Sequence, residues 1–112
     1  MSTQKFCLAL DLIDDPQLIA EYKLHHQQVW PGIIASIKEA GIEVLDIYCI
    51  GNRLFMIIEA TANFSFEKKS AMDAANETVQ DWETLMWKFQ QALPWATPGQ
   101  KWMLMEKIFE LP

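Results

Sequence analysis

An α+β fold is the class this sequence predicts, and three observations carry the expectation. Apolar runs of period 2 and stretches of helical spacing alternate in the order strand, helix, strand, strand, helix, strand. The first helical stretch opens on Asp14-Asp15-Pro16 and closes on Gly41, and the last closes on Pro94. The chain has 112 residues, about half of them hydrophobic, which suffices for one core and one domain spanning residues 1–112.

The elements follow in order. From Lys5 to Ile13, Phe6, Leu8, Leu10 and Leu12 alternate with Cys7, Ala9 and Asp11, the signature of a first strand. Asp14-Asp15-Pro16 then supplies a capping carboxylate and a proline for a helix's opening turn. Leu18, Ile19, Tyr22, His26, Val29, Trp30, Ile33 and Ile37 continue at helical spacing until Gly41, so one long first helix is expected. Pro31 lacks an N–H and crowds the carbonyl of Gln27, which kinks or restarts that helix just after His26. Glu43 to Ile50 and Arg53 to Ala60 read as a hairpin joined by Gly51-Asn52. After a polar connection, Ser65 to Ala75 reads as a brief helix. Glu77 to Leu93 reads as a stronger one, with Trp82, Leu85, Met86, Phe89 and Leu93 as its stripe and Pro94 as its stop. A loop through Trp95 to Gln100 leads to a last strand over Trp102 to Leu111.

This order is the split βαβ arrangement of a ferredoxin-like domain, one antiparallel sheet with helices on one face. The strands carry apolar residues on both sides, as with Ile47 against Tyr48 and Phe55 against Met56. The uncovered face therefore needs a partner, and a second copy packed sheet against sheet is expected, a homodimer of the dimeric α/β-barrel type.

Charge and composition narrow the function. The net charge is −6 and no basic cluster occurs, which excludes a phosphate-backbone partner such as nucleic acid. The apolar runs are too short to cross a bilayer, and the opening residues lack a signal peptide's pattern, so no membrane and a cytoplasmic setting are expected. Cys7 and Cys49 have no CxxC spacing and read as free thiols, with a bridge open to them only if their strands are neighbours. No set of residues has metal-ligand spacing, so no metal is expected.

Chemistry concentrates between Tyr22 and Pro31. Tyr22 and His26, one turn apart among isoleucines, must satisfy each other or serve a ligand, since burying them unpaired is costly. An imidazole exchanges protons near neutral pH, and a neighbouring phenol can orient it or bind a hydroxyl. The competing reading is a core histidine bonded to a backbone carbonyl, which spacing alone favours. His25, turned about 100° from His26, reads as solvated. The five tryptophans permit a carbohydrate ligand, because an indole packs against a sugar's C–H face, though Trp102 reads as core. Among the acids, Asp11, Asp46, Glu59 and Glu106 lie in or beside strands and are candidate bases or salt-bridge partners, whereas Asp81, Glu83 and Glu67 read as ordinary helix-surface charge.

The run Glu21-Tyr22, His26, Trp30-Pro31 resembles the EYxxxHxxxWP pattern of the L-rhamnose mutarotase family. The likeness continues through Ile47-Tyr48, Leu54-Phe55, Glu59 and the ending Phe109-Glu110-Leu111-Pro112. The resemblance implies a dimeric ferredoxin-like isomerase that interconverts the α and β anomers of a 6-deoxy-L-sugar without metal or organic cofactor. It also implies that His26 is the proton donor and that Tyr22 and Trp82 bind substrate. Glu83 stands where the family has a second Trp, for which Trp87 is the expected substitute. Leu45 replaces a substrate-binding tyrosine, with Tyr48 retained nearby. These departures alter the sugar-reading groups and open the pocket to L-fucose as well as L-rhamnose. Two other readings fit the same fold: a small monooxygenase or haem-handling protein, and a non-catalytic ligand-binding module.

Overall fold

The computed structural model describes residues 3–112, so the expectation about the chain's opening residues lies partly outside the described residues. Strand β1 (Gln4–Leu12) is followed by helices α1 (Pro16–His25) and α2 (Pro31–Glu39), then by strands β2 (Ile42–Ile50) and β3 (Arg53–Ala60). Helices α3 (Phe66–Ala74) and α4 (Glu77–Trp87) precede two short strands, β4 (Gln90–Gln91) and β5 (Met103–Leu104).

The sheet order is β2-β3-β1-β4, with β5 also on β1, and every pairing is antiparallel. The strand order and the helices packed over one face make the architecture ferredoxin-like, as the alternation of elements predicts. The fourth strand position is shared by two fragments. Leu8, Leu10 and Leu12 face the helices together with their register partners Met56 and Leu54, and Leu10, Leu12 and Leu54 are the most fully buried large side chains.

Two elements differ from the sequence reading, whereas the first helix breaks and restarts as Pro31 predicts. The long first helix is two helices. Trp30 takes an extended conformation (φ −57°, ψ 135°) ahead of Pro31, as a residue preceding proline must, and the helical path is lost between His26 and Pro31. The helix expected to reach Leu93 ends at Trp87. Beyond it the chain extends so that Gln90 and Gln91 pair with Leu12 and Asp11, while Ile13 N–H donates to the Phe89 carbonyl at 2.8 Å. Phe89 and Leu93 still reach the core, so the apolar spacing was real although the backbone is not helical. The last strand shrinks to Met103–Leu104. Once Met105 N–H has donated to the Cys7 carbonyl at 2.7 Å, residues 106–112 pair with no strand among the described residues. Ile108, Phe109 and Leu111 lie exposed.

The caps behave as read. The Asp15 carboxylate accepts from Gln17 N–H at 2.9 Å and Leu18 N–H at 3.1 Å, ahead of Pro16 at the first helical position. Gly41 ends α2 at φ 93°, where a Cβ would also meet Thr61 Oγ1 at 2.8 Å.

The other face of the sheet has no helix over it among the described residues. Its register partners are Cys7 with Ile57, Ala9 with Phe55, and Tyr48 with Phe55, and Tyr48 and Ile50 stand exposed. There Asp11, nearly buried, accepts from Arg53 Nε at 2.7 Å and Nη2 at 3.1 Å, a two-point ion pair between opposed residues. Cys7 and Cys49 are free, and β3 lies between their strands, which closes the route to a bridge.

Candidate active site

Between the helices and the sheet lies a cavity of about 680 Å³, open on one side. That volume falls within the range of about 300–1,000 Å³ typical of small-molecule sites. Its floor is the inward face of the strands, including Leu45, Ile47, Met56 and Ile58.

Tyr22 and His26 enter it together from the end of α1. Their rings lie 4.4 Å apart, and Tyr22 is 3 % exposed whereas His26 is half-buried. His26 Nδ1 is 2.9 Å from the Tyr22 carbonyl oxygen. A carbonyl only accepts, so Nδ1 carries the proton and Nε2 remains available to a ligand. The histidine thus combines both readings open at the sequence level: one nitrogen is bonded to the backbone, and the ring nevertheless lines the cavity.

Trp82, on the buried face of α4, meets the His26 ring edge-on at 5.7 Å and the Trp30 ring at 5.0 Å. It lines the cavity with Val79 and Met86. Trp87 does not reach it. That indole lies on the exposed side of α4, under Lys101 Nζ at 5.1 Å. His25 is not solvated as expected: it is half-buried, 5.4 Å from the Phe89 ring, and lies outside the cavity.

None of the four strand-associated acids lines the cavity. Asp11 is held by Arg53, and Asp46 and Glu59 share the outward register of Ile57 and Lys5. Glu106 lies in the exposed tail. Tyr48 also points to that outward face. The cavity's carboxylates are instead Asp73, ion-paired with Lys69 on α3, and Glu83, which has no ion-pair partner among the described residues. Glu83 is not the surface charge its helix position suggests: it is half-buried next to Trp82 in the chain, and the inward face of α4 carries it into the cavity wall.

Gln90 and Trp102 are cavity residues that sequence reasoning missed. Gln90 is 7 % exposed, and its Nε2 donates to the Tyr22 hydroxyl at 3.3 Å. It was read as part of a helix, and only its place in β4 turns it inward. Trp102 was read as core and does pack against both core clusters, yet it also forms cavity wall.

Burial raises the Tyr22 pKa above its ordinary value near 10, outweighing the opposing hydrogen bond from Gln90. The phenol therefore stays protonated near neutral pH and serves as a hydrogen-bond donor rather than a base. No group of three or more His, Cys, Asp or Glu side chains converges as a metal site among the described residues. No helix is long and apolar enough to cross a membrane among those same residues.

A family model described as L-rhamnose mutarotase matches residues 5–111. An L-fucose mutarotase of Xanthomonas campestris pv. campestris is 44 % identical over 113 residues, covering 99 % of this chain and 90 % of that protein. Among solved structures, an L-rhamnose mutarotase from Formosa agariphila superposes with a TM-score of 0.71 at 22 % identity, over 97 % of this chain and 99 % of that one. A dimeric ferredoxin-like protein from an uncultured marine organism superposes with a TM-score of 0.56 at 12 % identity, over 100 % and 95 % of the two chains.

Proposed function

Because the chain belongs to the L-rhamnose mutarotase family, whose members are sugar isomerases, we propose that the cavity beside His26 interconverts the α and β anomers of L-fucose. The observation that carries the reading is the pairing of His26 with Tyr22. A proton-transfer ring is fixed through Nδ1 and keeps Nε2 for a substrate, beside an indole and in a cavity with ample room for a pyranose. The monooxygenase, haem-handling and ligand-module alternatives draw no support from the matches.

The reaction asks for one proton in and one proton out. His26, charged, gives the Nε2 proton to the ring oxygen as the C1–O5 bond breaks, and Glu83 takes the proton of the anomeric hydroxyl as the C1=O bond forms. The C1–C2 bond rotates. Closure on the other face of the carbonyl returns the ring oxygen's proton to His26 and Glu83's proton to O1, so the enzyme ends as it began. Tyr22 donates a hydrogen bond to a sugar oxygen, and Trp82, with Val79 and Met86, packs the apolar side of the deoxy ring.

L-Fucose is the preferred substrate for two reasons. The 44 % identical relative is named for it. The two departures from the family pattern, Leu45 and Glu83, both line the cavity and replace an aromatic hydroxyl and an indole with a hydrocarbon and a carboxylate. A carboxylate reads hydroxyl orientation, in which L-fucose and L-rhamnose differ.

The assembly is a homodimer formed through the outward face of the sheet, with the exposed apolar tail against the second copy, in the dimeric α/β-barrel manner. Exposed Tyr48, Ile50, Phe109 and Leu111 support this reading. The two free thiols suit a reducing cytoplasm. Saturation-transfer NMR on freshly purified protein with L-fucose, L-rhamnose and neutral hexoses tests the function. Fastest catalysed exchange with L-fucose is expected, and no catalysed exchange with any of them would overturn the reading.

A further inference from the structure

Tyr22 lines the cavity, and among the described residues its hydroxyl has one side-chain partner, Gln90, whose direction matters. Gln90 is presented by β4, where its backbone is fixed opposite Leu12. Its side chain is 7 % exposed, set close to the cluster of Leu12, Leu54, Met86 and Phe89. An amide buried there is costly unless bonded. Its Nε2 donates to the Tyr22 oxygen at 3.3 Å, and the Tyr22 hydroxyl proton has no acceptor among the described residues.

We propose that Gln90 is a positioning residue for the mutarotase reaction: by occupying the Tyr22 oxygen as an acceptor it turns the phenolic proton toward the bound sugar. The inference rests on the mutarotase reading above. It also gives the site a part in sugar choice. An amide has two chemically different ends, and with Nε2 engaged by Tyr22, Oε1 is the end left to accept from a sugar hydroxyl. Tyr22 and Gln90 then form one donor and one acceptor at a fixed spacing, an arrangement that fits one hydroxyl configuration and leaves another unpaired.

The inference assigns a sign that simple packing does not. Gln90→Met keeps the length of the side chain and loses the bond. Gln90→Glu keeps a bond and reverses it, because a carboxylate accepts the Tyr22 proton and withdraws it from the sugar. Both variants, Tyr22→Phe and the Tyr22→Phe/Gln90→Met double variant are measured for kcat and KM with L-fucose and L-rhamnose, with melting temperatures alongside. Expected are a kcat loss of roughly tenfold for Gln90→Met, a larger loss for Gln90→Glu despite its retained bond, and a clearly smaller loss from Gln90→Met once Tyr22 is Phe, when only the Oε1 contact is left to lose.

Equal kcat in wild type and Gln90→Met, or a Gln90→Met loss undiminished in the Tyr22→Phe background, would overturn the proposal. If Gln90→Glu does not fold, the Gln90→Met cycle alone decides. Wild-type protein inactive on every sugar would instead overturn the mutarotase reading, so the two failures are distinguishable.

Discussion

His26 Nδ1 lies 2.9 Å from the carbonyl oxygen of Tyr22, the residue one helical turn before it. That contact makes Nδ1 a proton-bearing nitrogen and leaves Nε2 without a partner among the described residues. It forms where α1 runs out: His26 is the capping residue, and its ring reaches back to a carbonyl of the last turn. The break imposed by Pro31 is therefore part of the site's construction, because it ends the helix at the residue that lines the cavity.

Tyr22 gives a pH prediction of definite sign. Its pKa is raised on folding by burial, so the folded state holds the phenolic proton more tightly than the unfolded chain. Its contribution to stability is fully present below about pH 10 and is lost as pH rises through the folded value. Chemical denaturation across the alkaline range should show wild-type stability falling above that point. Tyr22→Phe should flatten the fall, and a Tyr22→Phe curve parallel to wild type would contradict the burial account.

Glu83→Gln removes the proposed base while keeping size and hydrogen-bonding capacity. The kcat for L-fucose exchange should fall on the order of 10²–10⁴-fold with little change in KM. An unchanged kcat would assign the anomeric proton to another acceptor.

The two tryptophans of α4 should separate cleanly. Trp82→Phe shortens the wall that packs the sugar and should raise KM severalfold. Trp87→Ala, on the exposed side under Lys101, should leave KM unchanged. Anomer-exchange kinetics on both variants make the comparison, and a KM rise for Trp87→Ala would return that indole to the site.

The outward face of the sheet predicts the assembly. Tyr48→Asp together with Ile50→Asp places two charges on its exposed apolar residues. Sedimentation should find two chains in wild type and one in this variant, with secondary structure retained. A wild-type chain that sediments as a monomer would remove the dimer.

The fold was legible wherever a short-range pattern decides structure. β1, the hairpin of β2 and β3, and the cap at Asp15 all follow from alternation, turn chemistry or capping geometry. What failed was decided by distant partners. Phe89 and Leu93 continue a helical period, but β1 offers Gln90 backbone hydrogen bonds that local spacing cannot reveal. The tail's apolar run looks like a strand and has no strand partner beyond Leu104 among the described residues. In the site, the Tyr22, His26 and Trp82 grouping was visible because helix period and family pattern agree. Gln90 was not, since an amide on a presumed helix carries no sign of facing inward, and Glu83 reads as surface charge by its chemistry while only the family pattern sets it at a sugar-reading position.

The most direct measurement is catalysed anomer exchange of L-fucose, followed by saturation-transfer NMR, for wild type and His26→Ala under identical conditions. The account predicts rapid exchange with wild type, and for the folded variant a rate lower on the order of 10²–10⁴-fold, approaching that of sugar in buffer. A folded His26→Ala protein that exchanges L-fucose at the wild-type rate would contradict it.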